Sequence, residues 1–155
     1  MWRAHRPDAA NTLWQSLVPW ESVDSLGHMH EVMSGSFFTP QRESVPEQTW
    51  SSSAFLSAAI HGMLGLESEG RKNVLHFEPQ VPTSWHSLHV EHVRVGNSVV
   101  DFSWHSENGH FTLDMRNEGP MFHLSWTQAR TGKDGIAPAS LERDIPTGNT
   151  HLSIP

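Results

Sequence analysis

Two histidines and a carboxylate stand within four residues of one another in the segment GHMHEVMSG, residues 27–35. His28 and His30 face the same side of an extended chain, so their imidazoles and the Glu31 carboxylate could together ligate zinc. No further ligand stands at a suitable spacing, and loop histidines are more often hydrogen-bonded to their neighbours. We therefore predict that the segment binds no metal and that the protein uses no cofactor.

Glu31 is also a residue of the type that moves protons. A carboxylate held among small and apolar residues in a cleft can act as a general base and take a proton from an attacking water molecule. A single glutamate in a loop is more often a solvated charge, and the residue types alone favour that alternative.

The segment PEQTWSSSAF, residues 46–55, has a composition typical of a sugar-binding cleft. The free amides of a helix start and the Gln48 side chain can bond sugar hydroxyls, and the apolar face of a pyranose ring can lie on the Trp50 indole. The alternative is a capped core helix in which Trp50 simply packs, and residue type alone favours that alternative.

The tryptophans and histidines of the second half of the chain show no such pattern. Trp85, Trp104 and Trp126 fall in predicted turns or on the buried side of predicted strands, which favours a core over a carbohydrate-binding platform. Six histidines are spread over different strands and both faces, and we predict that they are surface or edge residues: His86, His89, His92, His105, His110 and His123.

Two helices are predicted to position the Glu31 loop. Apolar residues recur at helical spacing over residues 7–19, between two prolines. A second helix is predicted over residues 46–65, with Ser44 and Glu47 as a capping box at its start. The stretch between them, residues 20–43, has no sustained periodicity, which is typical of a binding or active-site loop.

In the second half of the chain the apolar period changes from 3.6 to 2 residues, which predicts strands. Tight turns are expected at Gly96–Asn97 and Asn108–Gly109, and a β-bulge at Glu91–His92, where the alternation changes phase. The runs around them are predicted to form a four-stranded antiparallel meander that packs as a sandwich. From Thr127 the chain is rich in glycine and proline, with one closing strand at Leu152–Ile154.

The composition of the 155 residues excludes several classes of protein. Ten Lys and Arg against 17 Asp and Glu give a formal charge of −7, so nucleic acid is not an expected partner. There is no cysteine, which excludes disulfides, thiolate zinc sites and cysteine nucleophiles. No apolar run approaches about 20 residues and no signal peptide is evident, so we predict a soluble protein that binds no membrane, with the cytoplasm as the favoured compartment.

Four segments resemble, in their order and spacing, the C-terminal end of the six-hairpin or (α/α)6-barrel glycosidases. They are GHMHEVMSG, PEQTWSSSAF with its continuation LSAAIHGMLGLE, NVLHFEPQVPTSW and VEHVRVGNSVVDFSW. The closest resemblance is to bacterial glycogen-debranching, amylo-α-1,6-glucosidase-like proteins, and it covers roughly residues 10–126. It implies an α+β chain in which residues 1–69 form the closing helical hairpin of the barrel with its active-site loop, and residues 70–155 form an antiparallel β-sandwich-like domain.

The resemblance also implies a function. Glu31 matches the loop carboxylate that serves as general base in the inverting hydrolysis of α-glucosidic bonds. His30, Gln48 and Trp50 are expected to line the sugar subsite beside it. The general acid of the family lies upstream, in hairpins outside these 155 residues, so we expect a fragment that is inactive by itself.

The expected partners follow from the same resemblance. The substrate would be an α-glucan or a glucoside. Two helices that are apolar on one face leave surface exposed, so either the missing N-terminal portion of the barrel or another copy of the chain is expected to pack on them. Two alternatives stay open: a non-catalytic carbohydrate-binding or interaction module, favoured by the seven tryptophans and the meander, and a metal-dependent protein that uses His28, His30 and Glu31.

Overall fold

The chain folds as an α+β protein. A computed structural model describes residues 2–23, 27–128 and 138–154, which form two α-helices followed by eight β-strands in two sheets. The chain divides into two compact units, which we call the helical unit, Met1–Met63, and the sheet unit, Leu64–Pro155. The predicted α+β class and β-sandwich-like arrangement are confirmed.

The helical unit contains both predicted helices. Helix α1, Pro7–Leu17, begins at a proline, whose missing amide and fixed φ suit the first helical position. A 3-10 turn, Trp2–Ala4, precedes it, and another, Val18–Ser22, follows. Helix α2, Thr49–Ser57, continues into a π-helical turn, Ala58–Met63. Within the described residues, neither helix has the length and apolar character needed to cross a membrane.

Aromatic side chains hold the helical unit together. The Trp14 ring of α1 stacks on the Phe55 ring of α2, with centroids 4.6 Å apart and planes inclined by 12°. The Trp14 Nε1 also donates a hydrogen bond to the Phe55 carbonyl oxygen at 3.2 Å. Gly62 lies so close to the Trp2 indole that a Cβ atom there would be 2.7 Å from the Trp2 Cε3. A larger residue at this position would therefore displace the indole.

The predicted start of the second helix is wrong. Helix α2 begins at Thr49, and Glu47 has a φ of 54°, which lies outside the right-handed helical region. The Ser44 hydroxyl accepts a hydrogen bond from the Val32 amide at 3.0 Å, so it holds the preceding loop and does not cap the helix. Serine hydroxyls bond local backbone groups in many conformations, and here the loop competes successfully with the capping box.

The sheet unit contains eight strands among its described residues. In chain order they are β1 Leu66–Glu69, β2 Val74–Phe77, β3 Ser87–Val95, β4 Ser98–Glu107, β5 His110–Glu118, β6 Phe122–Gln128, β7 Ala139–Ile145 and β8 Gly148–Ile154. The first sheet has the strand order β1-β2-β6-β7, and the second has the order β3-β4-β5-β8.

The second sheet confirms the predicted turns and bulge. Gly96–Asn97, whose glycine has a φ of 59°, joins β3 to β4, and Asn108–Gly109, with φ values of 51° and 79°, joins β4 to β5. Asparagine and glycine tolerate these positive angles better than other residues. The register between β3 and β4 shifts between Val90 and Val93, and His92 in the bulge has a φ of 61°.

The predicted meander is wrong after its third strand. Strand β6 does not join the second sheet. It pairs with β2 in the first sheet, and this pairing is parallel, with Leu75 opposite Leu124. Strand β8 takes the place beside β5. The periodicity also missed β1, which is too short to show alternation, and β7, which lies in the tail rich in glycine and proline. Residues 129–137 of that tail lie outside the described residues.

Buried Asn117 explains how the chain crosses between the sheets. Its Nδ2 donates to the carbonyl oxygen of Pro120 at 2.9 Å, after β5, and to that of Pro146 at 3.2 Å, after β7. Gly119 lies so close to the start of β4 that a Cβ atom there would be 2.7 Å from the Ser98 Cα. The Asn117 side-chain amide thus holds both the crossing from β5 to β6 and the crossing from β7 to β8. Strand periodicity does not reveal this role.

The core of the sheet unit lies between its two sheets. The Phe77 ring of the first sheet meets the Phe102 ring of the second edge to face, with centroids 5.0 Å apart. Trp104 and Trp126 are 2% and 0% exposed, and the Trp104 Nε1 donates to the Gln128 Oε1 at 3.1 Å. These two tryptophans are core residues, as predicted, and do not form a carbohydrate-binding platform.

Candidate functional site

The loop that contains Glu31 folds back on itself as an irregular two-stranded ribbon. Near its base the Gln48 amide donates to the Met29 carbonyl oxygen at 2.8 Å. Further along, the Glu31 amide donates to the Val45 carbonyl oxygen at 3.0 Å. We call residues 29–48 the ribbon. One arm begins at Met29, in the predicted active-site loop, and the other ends at Gln48, the residue that precedes helix α2.

The far end of the ribbon is a turn with a defined conformation. The Ser34 amide donates to the Thr39 carbonyl oxygen at 2.8 Å. The Ser34 Oγ accepts hydrogen bonds from the amides of Ser36 at 3.2 Å and Phe37 at 3.3 Å. A segment rich in serine and glycine is therefore ordered by its own backbone and hydroxyl groups, which the lack of periodicity did not predict. Residues 24–26 of the predicted loop lie outside the described residues.

The four predicted site residues lie in different environments. His30 is buried, at 6% exposed, and its Nδ1 is 3.4 Å from the Ser44 Oγ. Glu31, the next residue, is exposed and lies at a bend of the chain. Gln48 is partly buried and precedes the first residue of α2, and Trp50 in the first turn is 81% exposed.

The ribbon pairs the segment that contains Glu31 with the segment that ends at Gln48. The Gln48 amide bonds the Met29 carbonyl oxygen, and two residues further along the first arm the Glu31 amide bonds the Val45 carbonyl oxygen. Trp50 begins the helix that follows. The exposed Glu31, the partly buried Gln48 and the exposed Trp50 therefore belong to paired or adjoining segments, and His30 is buried beside Glu31 in the chain.

The zinc alternative finds no geometric support in this part of the chain. His28 is exposed and His30 is buried, so the two imidazoles lie in different surroundings. Over residues 2–23, 27–128 and 138–154, no three His, Asp and Glu side chains are placed to hold a metal ion together.

Comparison with known proteins adds no assignment to this geometry. No family model, curated protein or solved structure matches the chain.

A second group of polar side chains lies on the outer face of the first sheet. The His123 Nδ1 is 2.8 Å from the Asp144 Oδ1, and its Nε2 is 2.9 Å from the Glu142 Oε2. Hydrogen bonds to Asp144 and Glu142 raise the pKa of His123 above its ordinary value. The Ser125 hydroxyl, which donates to Glu142 at 2.8 Å, and His123 lower the pKa of Glu142. A cavity of about 630 Å³ lies beside this group.

His123 is a partly exposed strand residue, as predicted, but its carboxylate partners were missed. Glu142 and Asp144 lie on β7, in the tail that composition alone described as rich in turn residues. The alternation of polar residues at positions 140, 142 and 144 was the available signal, since residues two apart share a face of a strand.

A third group crosses all four strands of the second sheet on its outer face. The pairing register places His89 beside Ser103, Ser103 beside Asp114 and Asp114 beside His151. The His89 Nδ1 is 2.8 Å from the Ser103 Oγ, and its Nε2 is 3.3 Å from the Glu91 Oε1. This connectivity resembles an activated serine. The backbone amides around it belong to the sheet ladders, however, so the group does not form an oxyanion hole.

Proposed function

We propose that the ribbon carries the general base of an inverting glycoside hydrolase that acts on α-glucosidic bonds. The chain would be the C-terminal portion of a six-hairpin, glycogen-debranching, amylo-α-1,6-glucosidase-like enzyme. The observation that supports this proposal is the backbone pairing of Met29 with Gln48 and of Glu31 with Val45, which folds the segment that contains the exposed Glu31 back on the residues before helix α2. The resemblance assigns Gln48 and Trp50, at the start of that helix, to the sugar subsite.

Each residue of the proposed site has a distinct role. Glu31 removes a proton from a water molecule while the water oxygen attacks the anomeric carbon of the bound glucoside. Gln48 bonds sugar hydroxyls, and the exposed face of Trp50 supports the apolar face of the pyranose ring. His30 is buried against Ser44 and fixes the direction of the neighbouring Glu31.

The proposal requires a second carboxyl group. Inverting hydrolysis uses a general acid about 6.5–9.5 Å from the base, which protonates the leaving oxygen as the glycosidic bond breaks. The resemblance places this acid upstream of residue 1. The chain by itself would therefore bind a glucoside and activate water, but would not assist the departure of a sugar leaving group.

Exposed aliphatic side chains on the helices support the proposed barrel origin. Leu13 of α1, Leu56 of α2 and Ile60 in the turn after it are 55%, 58% and 43% exposed. In a barrel such side chains pack on neighbouring helices, so the missing N-terminal portion, or a second copy of the chain, would cover them.

Hydrolysis of α-glucosyl fluoride tests the base without the acid, because fluoride leaves without protonation. We expect the full chain to release fluoride and to form β-glucose, the inverted product. Glu31→Gln should lower this rate by about 10²- to 10⁴-fold, the usual contribution of a general base. Glu43→Gln, a change of another exposed glutamate of the ribbon, is the matched control and should leave the rate unchanged.

Two results would contradict the proposal. Equal rates for Glu31→Gln and Glu43→Gln would remove Glu31 from the base role. Binding of maltose without any release of fluoride would favour the non-catalytic carbohydrate-binding module, which the 81% exposed Trp50 also supports.

A further inference from the structure

Two adjacent phenylalanines are presented to solvent at the far end of the ribbon. Phe37 and Phe38 are 74% and 58% exposed, although burial of such a side chain is worth about 1.5–3 kcal/mol. The Ser34 hydroxyl accepts a hydrogen bond from the Phe37 amide, and the Thr39 amide donates one to the Phe37 carbonyl oxygen at 2.8 Å. These bonds fix the backbone of the turn at Phe37, and both rings are exposed on this turn.

The exposed apolar residues at the tip of the ribbon differ in chemistry from most others of the helical unit. On the helices, and on the two arms of the ribbon at Val32 and Val45, they are aliphatic, apart from Trp50 at the first turn of α2. At the ribbon tip they are aromatic, and their neighbours are the small polar residues Ser36 and Thr39. Flat rings among hydroxyl groups fit the alternating apolar faces and polar edges of a sugar better than they fit a continuous apolar protein surface.

The charge of the ribbon favours a neutral ligand. The sequence of the ribbon contains three glutamates, Glu31, Glu43 and Glu47, and one arginine, Arg42. A surplus of carboxylates repels nucleic acid and anionic lipid. A neutral oligosaccharide meets no such repulsion.

The two aromatic sites are separated by the length of the ribbon. One arm runs from Met29, opposite Gln48, to Ser34 at the turn, and five residues of extended chain span at most about 17 Å. Trp50 follows Gln48 at the base, and Phe37 follows Ser34 at the tip. An oligosaccharide that follows the ribbon would contact both sites.

We infer that Phe37 and Phe38 form a distal sugar-stacking site, so that the ribbon binds an extended α-glucan chain between this pair and Trp50. The inference rests on the proposed function and makes it more specific, because it assigns oligosaccharides as the preferred ligand over disaccharides.

Calorimetric titration of the full chain with maltoheptaose and with maltose tests this inference. The double variant Phe37→Ala with Phe38→Ala should bind maltoheptaose about tenfold more weakly, the effect of losing two stacked rings, and should bind maltose unchanged. Trp50→Ala should weaken the binding of both sugars. Met121→Ala, a change of a 58% exposed residue of the sheet unit, is the control and should alter neither affinity.

The possible failures are distinguishable. If Trp50→Ala weakens binding and the double phenylalanine variant does not, the distal site is wrong and the proposed function stands. If the wild-type chain binds neither sugar, the sugar subsite itself is wrong, and the fluoride assay tests that conclusion separately. Binding of the wild type, but not of the double variant, to phosphatidylcholine vesicles would overturn the inference in favour of a membrane contact. Thermal unfolding followed by circular dichroism checks that each variant is folded.

Discussion

The helical unit and the sheet unit differ in the fraction of their apolar side chains that they bury. Of the described residues, the sheet unit buries fifteen hydrophobic side chains and exposes one large one, Met121. The helical unit buries Ala10, Met29 and Met63 and exposes eight large ones, among them Trp50 and Phe37. The sheet unit thus buries most of its large apolar side chains between its own two sheets. The surface of the helical unit is suited to a ligand, to a further polypeptide, or to both.

The largest expected effect compares one tryptophan from each unit. Trp126→Ala removes a side chain that is 0% exposed and should lower the free energy of unfolding by about 3–5 kcal/mol. Trp50→Ala removes one that is 81% exposed and should change it by at most about 0.5 kcal/mol. Urea unfolding followed by circular dichroism measures both. Equal losses would show that Trp50 is packed in solution and would contradict its assignment to a sugar subsite.

A smaller effect is expected where the sheet unit buries a polar group. Asn117→Ala leaves the carbonyl oxygens of Pro120 and Pro146 without the amide that joins them, and should lower the free energy of unfolding by about 1–3 kcal/mol. Asn149→Ala, a change of an exposed asparagine on β8, is the matched control. If both variants unfold at the same urea concentration, Asn117 does not stabilise the crossings.

The smallest effect concerns the exposed carboxylate cluster around His123. Since Asp144 and Glu142 raise the pKa of His123, its contribution to stability is present below its unfolded value of about 6.5. This contribution is lost as the pH rises through the folded pKa. The stability difference between the wild type and His123→Gln should therefore shrink as the pH rises above about 6.5.

Titration of His123 by nuclear magnetic resonance provides the control for that prediction. In the double variant Glu142→Gln with Asp144→Asn, the pKa of His123 should fall from its raised value. Added salt should reduce the shift in the wild type, because all three side chains are partly exposed. An equal pKa in both proteins would contradict the role of the two carboxylates.

Local signals in the sequence predicted much of the sheet unit. The Asn108–Gly109 turn, the bulge at His92 and the burial of Trp104 depend on neighbouring residues and on alternation, and all three are confirmed. The exchange of strands between sheets was not predictable in this way. It depends on the bond of Asn117 to the Pro146 carbonyl oxygen, 29 residues away, and on the close approach of Gly119 to β4, which are contacts between distant parts of the chain.

The candidate site, like the sheet unit, was predicted from the sequence only in part. Residue types and motif order singled out Glu31, Gln48 and Trp50, and the pairing of Met29 with Gln48 provides a physical reason why the segment that contains Glu31 folds back on the residue before helix α2. The burial of His30 against Ser44 was missed, because the same serine matched the pattern of a helix cap. The exposed phenylalanine pair was also missed, since a stretch without periodicity offers no indication of which side chains face solvent.

The parallel pairing of β2 with β6 has a consequence for the order of folding. Strands β3, β4 and β5 lie between these partners in the chain, so the first sheet cannot close until the whole intervening segment has been brought into place. The β3-β4-β5 hairpins have short loops and can form early, whereas β2 waits with an unpaired edge. We therefore expect the joining of β2 to β6 to limit the folding rate, and newly made chains to be most prone to associate through that edge.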